Sequence, residues 1–98
     1  MDITYTTKKI KKVCTIAHEA EKKYGSKMAE KIHLRIDQIQ AADTIDTLLL
    51  LQSGRCHKLK GDRKSQYALD LVHPYRLVFN IIENEIQIAN IIEIVDYH

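Results

Sequence analysis

The stretch that decides the fold is QYALDLVHPYRLVFNIIENEIQIANIIEIV, residues 66–95. Over residues 66–71 apolar and polar side chains alternate, which predicts a half-buried strand. His73-Pro74 is a turn signal, because proline fixes its own backbone dihedral and biases the preceding residue toward extended geometry. A second strand is predicted over residues 75–82 and, after a polar turn, a strongly β-branched third strand over residues 86–95. Together they indicate an antiparallel meander.

Upstream of the meander, apolar residues recur three or four positions apart, which is the helical period. After a short strand over residues 3–6, this period predicts one helix that begins at Thr7 and ends at Gly25. A second helix begins at Ser26, whose hydroxyl is placed to cap its first turn. Residues 48–51 suit either a further helical turn or the start of a loop. The order predicts an α+β fold, with two N-terminal helices packed on a small antiparallel sheet.

Length and composition indicate a globular protein. The 98 residues suit one domain over residues 1–98, and 45% of them are apolar and 29% charged. The longest compact apolar run, residues 48–51, is far shorter than the ~20 residues of a membrane span, and the N-terminal residues contain no apolar leader. We therefore expect a cytoplasmic protein with no membrane segment. Cys14 and Cys56 are expected to be reduced thiols, since neither belongs to a closely spaced metal-binding pair.

Charge is distributed unevenly along the chain, although the net charge is only +2. Residues 55–64, here called the basic segment, contain five cations and one anion, and residues 8–12 contain four lysines. Residues 77–98 contain four acids and no lysine or arginine. A concentrated basic segment in a nearly neutral protein suggests a local polyanion site, although most such segments are only solvated surface.

Three patches carry candidate chemistry. They are HKLKGDR at residues 57–63, Tyr75-Arg76 at the start of a predicted strand, and DYH at residues 96–98. Strand alternation places Arg76 on the face opposite the apolar side chains of its strand. Arg76 is therefore predicted to lie on an open sheet face, where its guanidinium can clamp a phosphate.

These patches supply the groups needed to cut RNA without a metal ion or a cofactor. The nucleophile is the RNA's own 2′-hydroxyl, so the protein must remove its proton, protonate the leaving 5′-oxygen and balance the charge on the phosphate. Histidine suits both proton steps, since its ordinary pKa is about 6.5. Lys60 and Arg76 would stabilise the pentacovalent phosphorane, and Tyr97 would stack on a base.

Each group also has a simpler interpretation. His98 is a terminal residue, and chain ends are often frayed. His57 flanks a predicted turn, and Asp62 with Arg63 suits an exposed ion pair worth under ~1 kcal/mol. The remaining histidines are interpreted as structural or surface residues: His18, His33 and His73.

The same three patches resemble the HigB-type toxins of the RelE/ParE superfamily of type II toxin–antitoxin systems. The matching segments are H-x-L-K-G-D-R from His57, an aromatic-Arg motif followed by Phe at residues 75–79, and the terminal I-x-D-Y-H. They occur in the family's order over residues 56–98. The helical half of the chain agrees in architecture only.

The resemblance implies a ribosome-dependent messenger-RNA endoribonuclease that cuts codons in the A site and inhibits translation. It also implies a HigA-type helix-turn-helix antitoxin that neutralises the toxin and represses the shared operon. Operator DNA would then be contacted only through the antitoxin, and no cofactor, metal or membrane is required.

By position, the resemblance assigns catalytic roles to His57, Lys60, Arg76, Asp96, Tyr97 and His98. Within that set we interpret His57 and His98 as proton shuttles, either of which is base or acid, with Asp96 orienting a histidine or a base. The basic segment supplies the expected RNA contacts: Arg55, Lys58, Arg63 and Lys64.

Three residues depart from the family pattern. Ser65 stands where many relatives have glycine, and Asp70 stands where a basic residue is frequent. Both are expected to weaken RNA contact without moving the catalytic groups. Tyr75 replaces a commoner tryptophan and keeps an aromatic ring.

Two other functions compete with the nuclease. ParE-type relatives poison DNA gyrase without cutting RNA, and they typically lack the histidine, lysine and terminal Asp-Tyr-His set. A non-catalytic co-repressor that only holds an antitoxin on DNA is also compatible with the modest net charge. The nuclease is favoured, because neither alternative requires His57, Arg76 and His98 together.

Overall fold

The computed structural model of the protein describes residues 1–97, so the prediction for His98 lies outside the described residues. The helices are α1 (Lys8–Thr15), α2 (Ala17–Tyr24), α3 (Ser26–Ala41) and α4 (Ile45–Leu51). The strands are β1 (Asp2–Tyr5), β2 (His57–Lys58), β3 (Gln66–Asp70), β4 (Tyr75–Ile82) and β5 (Ile88–Asp96). Two short 3-10 turns, Ser53–Arg55 and Gly61–Arg63, flank β2. The predicted α+β class is confirmed.

The five strands form one sheet in the order β1-β5-β4-β3-β2. Strands β2 to β5 pair antiparallel, as the predicted meander requires. Strand β1 instead pairs in parallel with β5, and Asp2 lies opposite Ile88. The expectation of a purely antiparallel sheet is corrected: the sheet is mixed, because the first strand inserts beside the last.

The helical half contains four helices where two were expected. The predicted first helix is divided at Ile16, whose φ of −116° and ψ of 110° are extended rather than helical. The apolar period nevertheless continues from α1 into α2, so the same face meets the core. Residues 48–51, predicted as either a helical turn or the start of a loop, belong to helix α4. The cap position of α3 is occupied by Gly25 at a φ of 90°, and Ser26 is the first helical residue.

The core lies between the helices and one face of the sheet. Side chains from α3, β3, β4 and β5 meet there in one buried cluster. Its largest fully buried members are Phe79, Ile32, Ile39, Leu48, Leu69, Leu77 and Ile91. The cluster covers one sheet face. The other face carries polar side chains around the fully buried Ala68 and Val78, and it is the face that concerns function. Within residues 1–97, no helix combines the length and the apolar character that a bilayer crossing requires.

Candidate active site

The sheet face turned away from the helices, here called the open face, collects several of the predicted site residues. Across four strands the register aligns His57 with Ala68, Val78 and Glu93. The neighbouring row aligns Asp70, Arg76 and Val95. His57 and Arg76 therefore lie on the same face two strands apart, about 10 Å laterally at ~4.8 Å per strand spacing.

Arg76 lies half-buried on the open face, as strand alternation predicted, with 30% of its side chain exposed. Its Nε lies 3.4 Å from Oδ1 of Asp70 on the neighbouring strand. Its guanidinium also lies over the ring of Tyr97, 4.8 Å from the ring centroid. An ion pair on one side and a cation–π contact on the other restrict its rotamers. The guanidinium is thus held in place before any ligand arrives.

Asp70 is the centre of a cluster of three arginines. Its Oδ2 lies 3.3 Å from Nε of Arg55, while Oδ1 contacts Arg76. Its backbone carbonyl accepts a 2.7 Å hydrogen bond from Nε of Arg35, whose Nη1 donates to Gln38. Burial lowers the pKa of Arg35, and the charge of Asp70 acts in the opposite direction. The residue that departs from the family pattern therefore organises the basic groups around it.

The backbone that leads to β2 is strained. Gln52, Gly54 and Arg55 have φ angles of 52°, 55° and 54°, in the left-handed region that only glycine adopts freely. Such strain persists where the surroundings over-determine it, and it is concentrated at functional sites. Here it places Arg55 beside Asp70.

The imidazole of His57 is oriented by this strained segment. Its Nδ1 lies 3.0 Å from the backbone oxygen of Arg55. A carbonyl oxygen only accepts hydrogen bonds, so in the neutral ring Nδ1 carries the proton and Nε2 carries a lone pair. The half-buried ring thus presents the lone pair of Nε2, and Arg55 supplies the carbonyl that fixes the tautomer.

Tyr97 and Arg63 lie next to each other on the open face. The guanidinium of Arg63 forms an ion pair with Glu93 and donates a 3.3 Å hydrogen bond to Gln66. The hydrogen bond with Glu93, and after it a smaller contribution from Tyr97, raises the pKa of Arg63. The backbone nitrogen of Tyr97 donates to the carbonyl of Pro74 at 2.9 Å. Tyr97 therefore lies between two arginines, Arg63 and Arg76.

A cavity of about 240 Å³ opens beside Arg76. Its lining includes Arg55, Asp70, His73, Pro74, Arg76 and Tyr97. Charged and aromatic groups from a turn, two strands and the C-terminal residues thus face one space. The size and the lining suit a small part of a nucleic acid, such as a phosphate with its neighbouring ring.

The structure does not bring every predicted residue to this face. Lys60 and Lys64 are exposed at the two ends of the Gly61–Arg63 turn. Lys58 alternates with His57 along β2 and so belongs to the other side of that strand. Asp96 is exposed at the end of β5, opposite Tyr75 and in the alternation set of the helix-covered face. His57, Arg55, Arg63, Arg76 and Tyr97 are the predicted residues that are brought together.

Three residues escaped the sequence analysis as parts of this site. Arg35 lies on α3, whose apolar stripe alone was predicted to matter. No local sequence pattern links it to Asp70, 35 positions further along the chain. Glu93 lies on a strand without lysine or arginine, and Asp70 was expected only to weaken RNA contact. The pairing of both acids with arginines depends on how the strands lie side by side. Of the other histidines, His18 is exposed on α2, and the buried Nε2 of His33 has no hydrogen-bond partner within residues 1–97. His73 lines the cavity.

Solved toxin structures share this fold. The chain superposes on a YoeB/ParE toxin from Agrobacterium tumefaciens with a TM-score of 0.67 at 17% identity, covering 100% of both chains. It matches a YoeB-YefM complex and a YoeB dimer from Staphylococcus aureus with TM-scores of 0.66 and 0.65. Both Staphylococcus matches are 21% identical and cover 100% of this chain and 97% of the other. A comparison with curated proteins finds no significant match.

These similarities show that the chain has the fold of the YoeB/ParE toxin structures. The chain belongs to the HigB-like toxin family, the RelE-like toxins of type II toxin–antitoxin systems, whose family profile matches residues 5–98. The resemblance inferred from the three patches is thereby confirmed, and it extends over the helical half as well.

Proposed function

We propose that this toxin is an endoribonuclease that cuts messenger RNA in the ribosomal A site, in the cytoplasm, and so inhibits translation. The observation that carries the proposal is the placement of His57 and Arg76 on one open face, each oriented by its own partner. Membership of the RelE-like toxin family supports the same activity.

The proposed reaction is an attack by the 2′-hydroxyl of the RNA on its own adjacent phosphodiester. His57 Nε2 accepts the hydroxyl proton, because its Nδ1 is committed to the carbonyl of Arg55. The 2′-oxygen bonds to phosphorus while the bond to the 5′-oxygen breaks, and a general acid protonates that leaving oxygen. We assign this acid to His98. The products are a cyclic phosphate and a 5′-hydroxyl.

The charge that develops on the phosphorane requires cations beside it. Arg76 is the proposed clamp, since a guanidinium held at Nε keeps further N–H donors for phosphate oxygens. Lys60 adds a second positive charge from the exposed turn. Tyr97 is proposed to stack on a base, and Asp96 to orient a histidine or a base. RNA backbone contacts are assigned to Arg55, Arg63 and Lys64, whereas Lys58 is left out because it lies on the other side of β2.

The proposed partner is a HigA-type antitoxin with a helix-turn-helix fold. A YoeB-YefM complex among the structurally similar proteins supports a protein partner for this fold. We infer that the antitoxin neutralises the toxin and contacts operator DNA for both. A neighbouring reading frame that encodes a small helix-turn-helix protein is the expected genetic signature.

The test is a brief expression of the chain in cells, followed by mapping of messenger-RNA 5′ ends. We expect cuts in phase with codons, reduced about 10²-fold or more in His57→Ala and in Arg76→Ala. His18→Ala is the matched control, because His18 is an exposed histidine on α2, and it should cut like the unaltered chain. Purified messenger RNA without ribosomes should stay intact.

Other outcomes identify the competing functions. Double-strand DNA breaks with intact transcripts would indicate a ParE-like gyrase inhibitor. Operon repression with neither lesion would indicate a non-catalytic co-repressor. Cuts that persist in His57→Ala would remove His57 from the reaction.

A further inference from the structure

Asp70 contacts both arginines that line the cavity, Arg55 and Arg76. One carboxylate oxygen lies 3.3 Å from Arg55 and the other 3.4 Å from Arg76. The three side chains are unequally covered, since 80% of the Arg55 side chain is exposed but only 26% of Asp70 and 30% of Arg76. The carboxylate of Asp70 is therefore the least exposed of the three groups, and the two guanidinium groups lie on either side of it.

Both contacts are made through Nε, and this choice of atom has a chemical consequence. A guanidinium carries four more N–H bonds on its two Nη atoms. A carboxylate at Nε fixes the plane of the group and leaves donors for a second anion. Two arginines that share one carboxylate counter-ion thus keep Nη donors for the oxygens of a phosphate.

We propose that Asp70 is a positioning residue of the proposed ribonuclease, which sets the orientation of Arg76 and Arg55 toward the RNA phosphate. The proposal rests on the proposed function. It reverses the sequence expectation for this position, because an acid that only weakened RNA contact would have no need to bind the catalytic arginine.

The position of Asp70 is fixed independently of its carboxylate. Its backbone carbonyl accepts from Arg35, which approaches from α3, and its strand pairs residue by residue with β4. A change of the side chain at position 70 therefore keeps these anchors. What it removes is the charge between two cations, which then repel each other and lose their common orientation.

The electrostatic effect and the positioning effect oppose each other, which makes them separable. Loss of a negative charge beside the RNA site favours ground-state binding of RNA. Loss of a fixed Arg76 weakens the stabilisation of the phosphorane, which acts on the chemical step. An acid that merely screened the site would affect binding alone.

The experiment measures single-turnover cleavage of messenger RNA on programmed ribosomes with toxin in excess. For Asp70→Asn we expect the plateau rate to fall at least 10-fold, while the half-saturating toxin concentration stays equal or falls. Asp70→Glu keeps the carboxylate and should recover a large part of the rate. Asp37→Asn makes the same charge change on the exposed side of α3 and should alter neither quantity.

A second arm does not depend on cleavage. Nuclear magnetic resonance of the arginine Nε–H groups in the free protein should show that Arg76 Nε is ordered in the unaltered chain and mobile in Asp70→Asn. Thermal unfolding confirms that both variants are folded, and Asp70→Ser, which also removes the carboxylate, replaces Asp70→Asn if the latter is not. If the unaltered chain cleaves nothing, the proposed function is wrong, and the resonance arm alone then decides the positioning role.

The proposal is overturned if Asp70→Asn cleaves at the plateau rate of Asp37→Asn, or if Arg76 Nε is equally ordered with and without the carboxylate. Tighter RNA binding at an unchanged rate would show that Asp70 only screens the site.

Discussion

Gly54 shows how one residue without a side chain supports the arginine cluster. Its φ is 55°, and a Cβ placed on it would lie 2.6 Å from Nε of Arg35. Arg35 cannot move away freely, because the same Nε donates to the carbonyl of Asp70. Position 54 thus disfavours any residue other than glycine for two reasons, the positive φ angle and the closeness of Arg35.

Gly54→Ala is therefore expected to destabilise the fold more than Gly61→Ala. Gly61 also has a positive φ, of 68°, but a Cβ there meets nothing within 4 Å. Gly61→Ala should cost about 1–2 kcal/mol for the left-handed backbone alone. Gly54→Ala should cost about 1 kcal/mol more, from the displaced hydrogen bond of Arg35. Urea unfolding of both variants measures the difference, and equal losses would contradict it.

At the level of single residues, the sequence predicts side chains whose direction follows from alternation. Arg76 lies on the open face as predicted, because its direction depends only on its place within one strand. The ion pair of Asp70 with Arg55 was not predictable in this way. It depends on a strained turn and on a register between strands, neither of which is encoded locally.

A ladder of polar side chains joins three strands across the open face. Thr4 of β1 donates a 2.8 Å hydrogen bond to the side chain of Asn90, which donates in turn to Asn80 at 3.1 Å. The ladder thus joins β1, β5 and β4 on the face that the helices leave uncovered. It adds side-chain bonds to the backbone pairing of the parallel strand.

Asn90→Ala removes both bonds of the ladder and should lower the free energy of unfolding by about 1–2 kcal/mol. Thr4→Val removes only the outer bond and should cost less. Asn84→Ala is the matched control, because Asn84 lies in an exposed turn, and it should change stability by under about 0.5 kcal/mol. Chemical denaturation gives all three values. A loss in Asn84→Ala equal to that in Asn90→Ala would refute a specific role for the ladder.

The elements themselves were predictable to different degrees. Strand β4 matches its predicted bounds, since alternation and a preceding proline define it. The break at Ile16 carries no glycine or proline, and the apolar period continues across it. One local cause is visible: the hydroxyl of Thr15 donates to the carbonyl of Lys11 at 2.6 Å, a contact that tends to bend helices. Many helical threonines donate to the carbonyl four residues before them without breaking the helix, so a threonine alone does not predict the break.

The two buried thiols link the stability of the whole molecule to pH. Burial raises the pKa of Cys14 to about 12 and that of Cys56 to about 11. Between about pH 9 and pH 11 the folded protein therefore retains two protons that the unfolded chain releases. Rising pH favours the state that binds fewer protons, which here is the unfolded chain. Stability should fall across this interval by up to about 1.4 kcal/mol per pH unit for each thiol.

Urea unfolding at pH 8 and at pH 10 tests this linkage. The variant Cys14→Ala with Cys56→Ala lacks both thiols and should lose clearly less stability between the two pH values than the unaltered chain. Burial still raises the pKa values of Tyr5 and Tyr24 in that variant and acts in the same direction, while the smaller contribution of Cys14 to both is lost. Equal losses in both proteins would show that the thiols make no contribution.

For the molecule as a whole, the α+β class and the order of the meander followed from periodicity. The parallel pairing of β1 with β5 did not, since a strand of four residues carries no information about a partner more than 80 positions away. Sheet order is decided by which arrangement buries the helices against one face. That choice is made by all elements together.

The central position of β5 has a consequence for the synthesis of the chain. Strand β5 lies between β1 and β4, so β1 has no strand to pair with until β5 has left the exit tunnel. A nascent chain that still lacks β5 contains neither a closed sheet nor Tyr97 beneath its arginine. The arrangement of Arg76 over Tyr97 on the open face is therefore completed only after β5 and Tyr97 have left the ribosome.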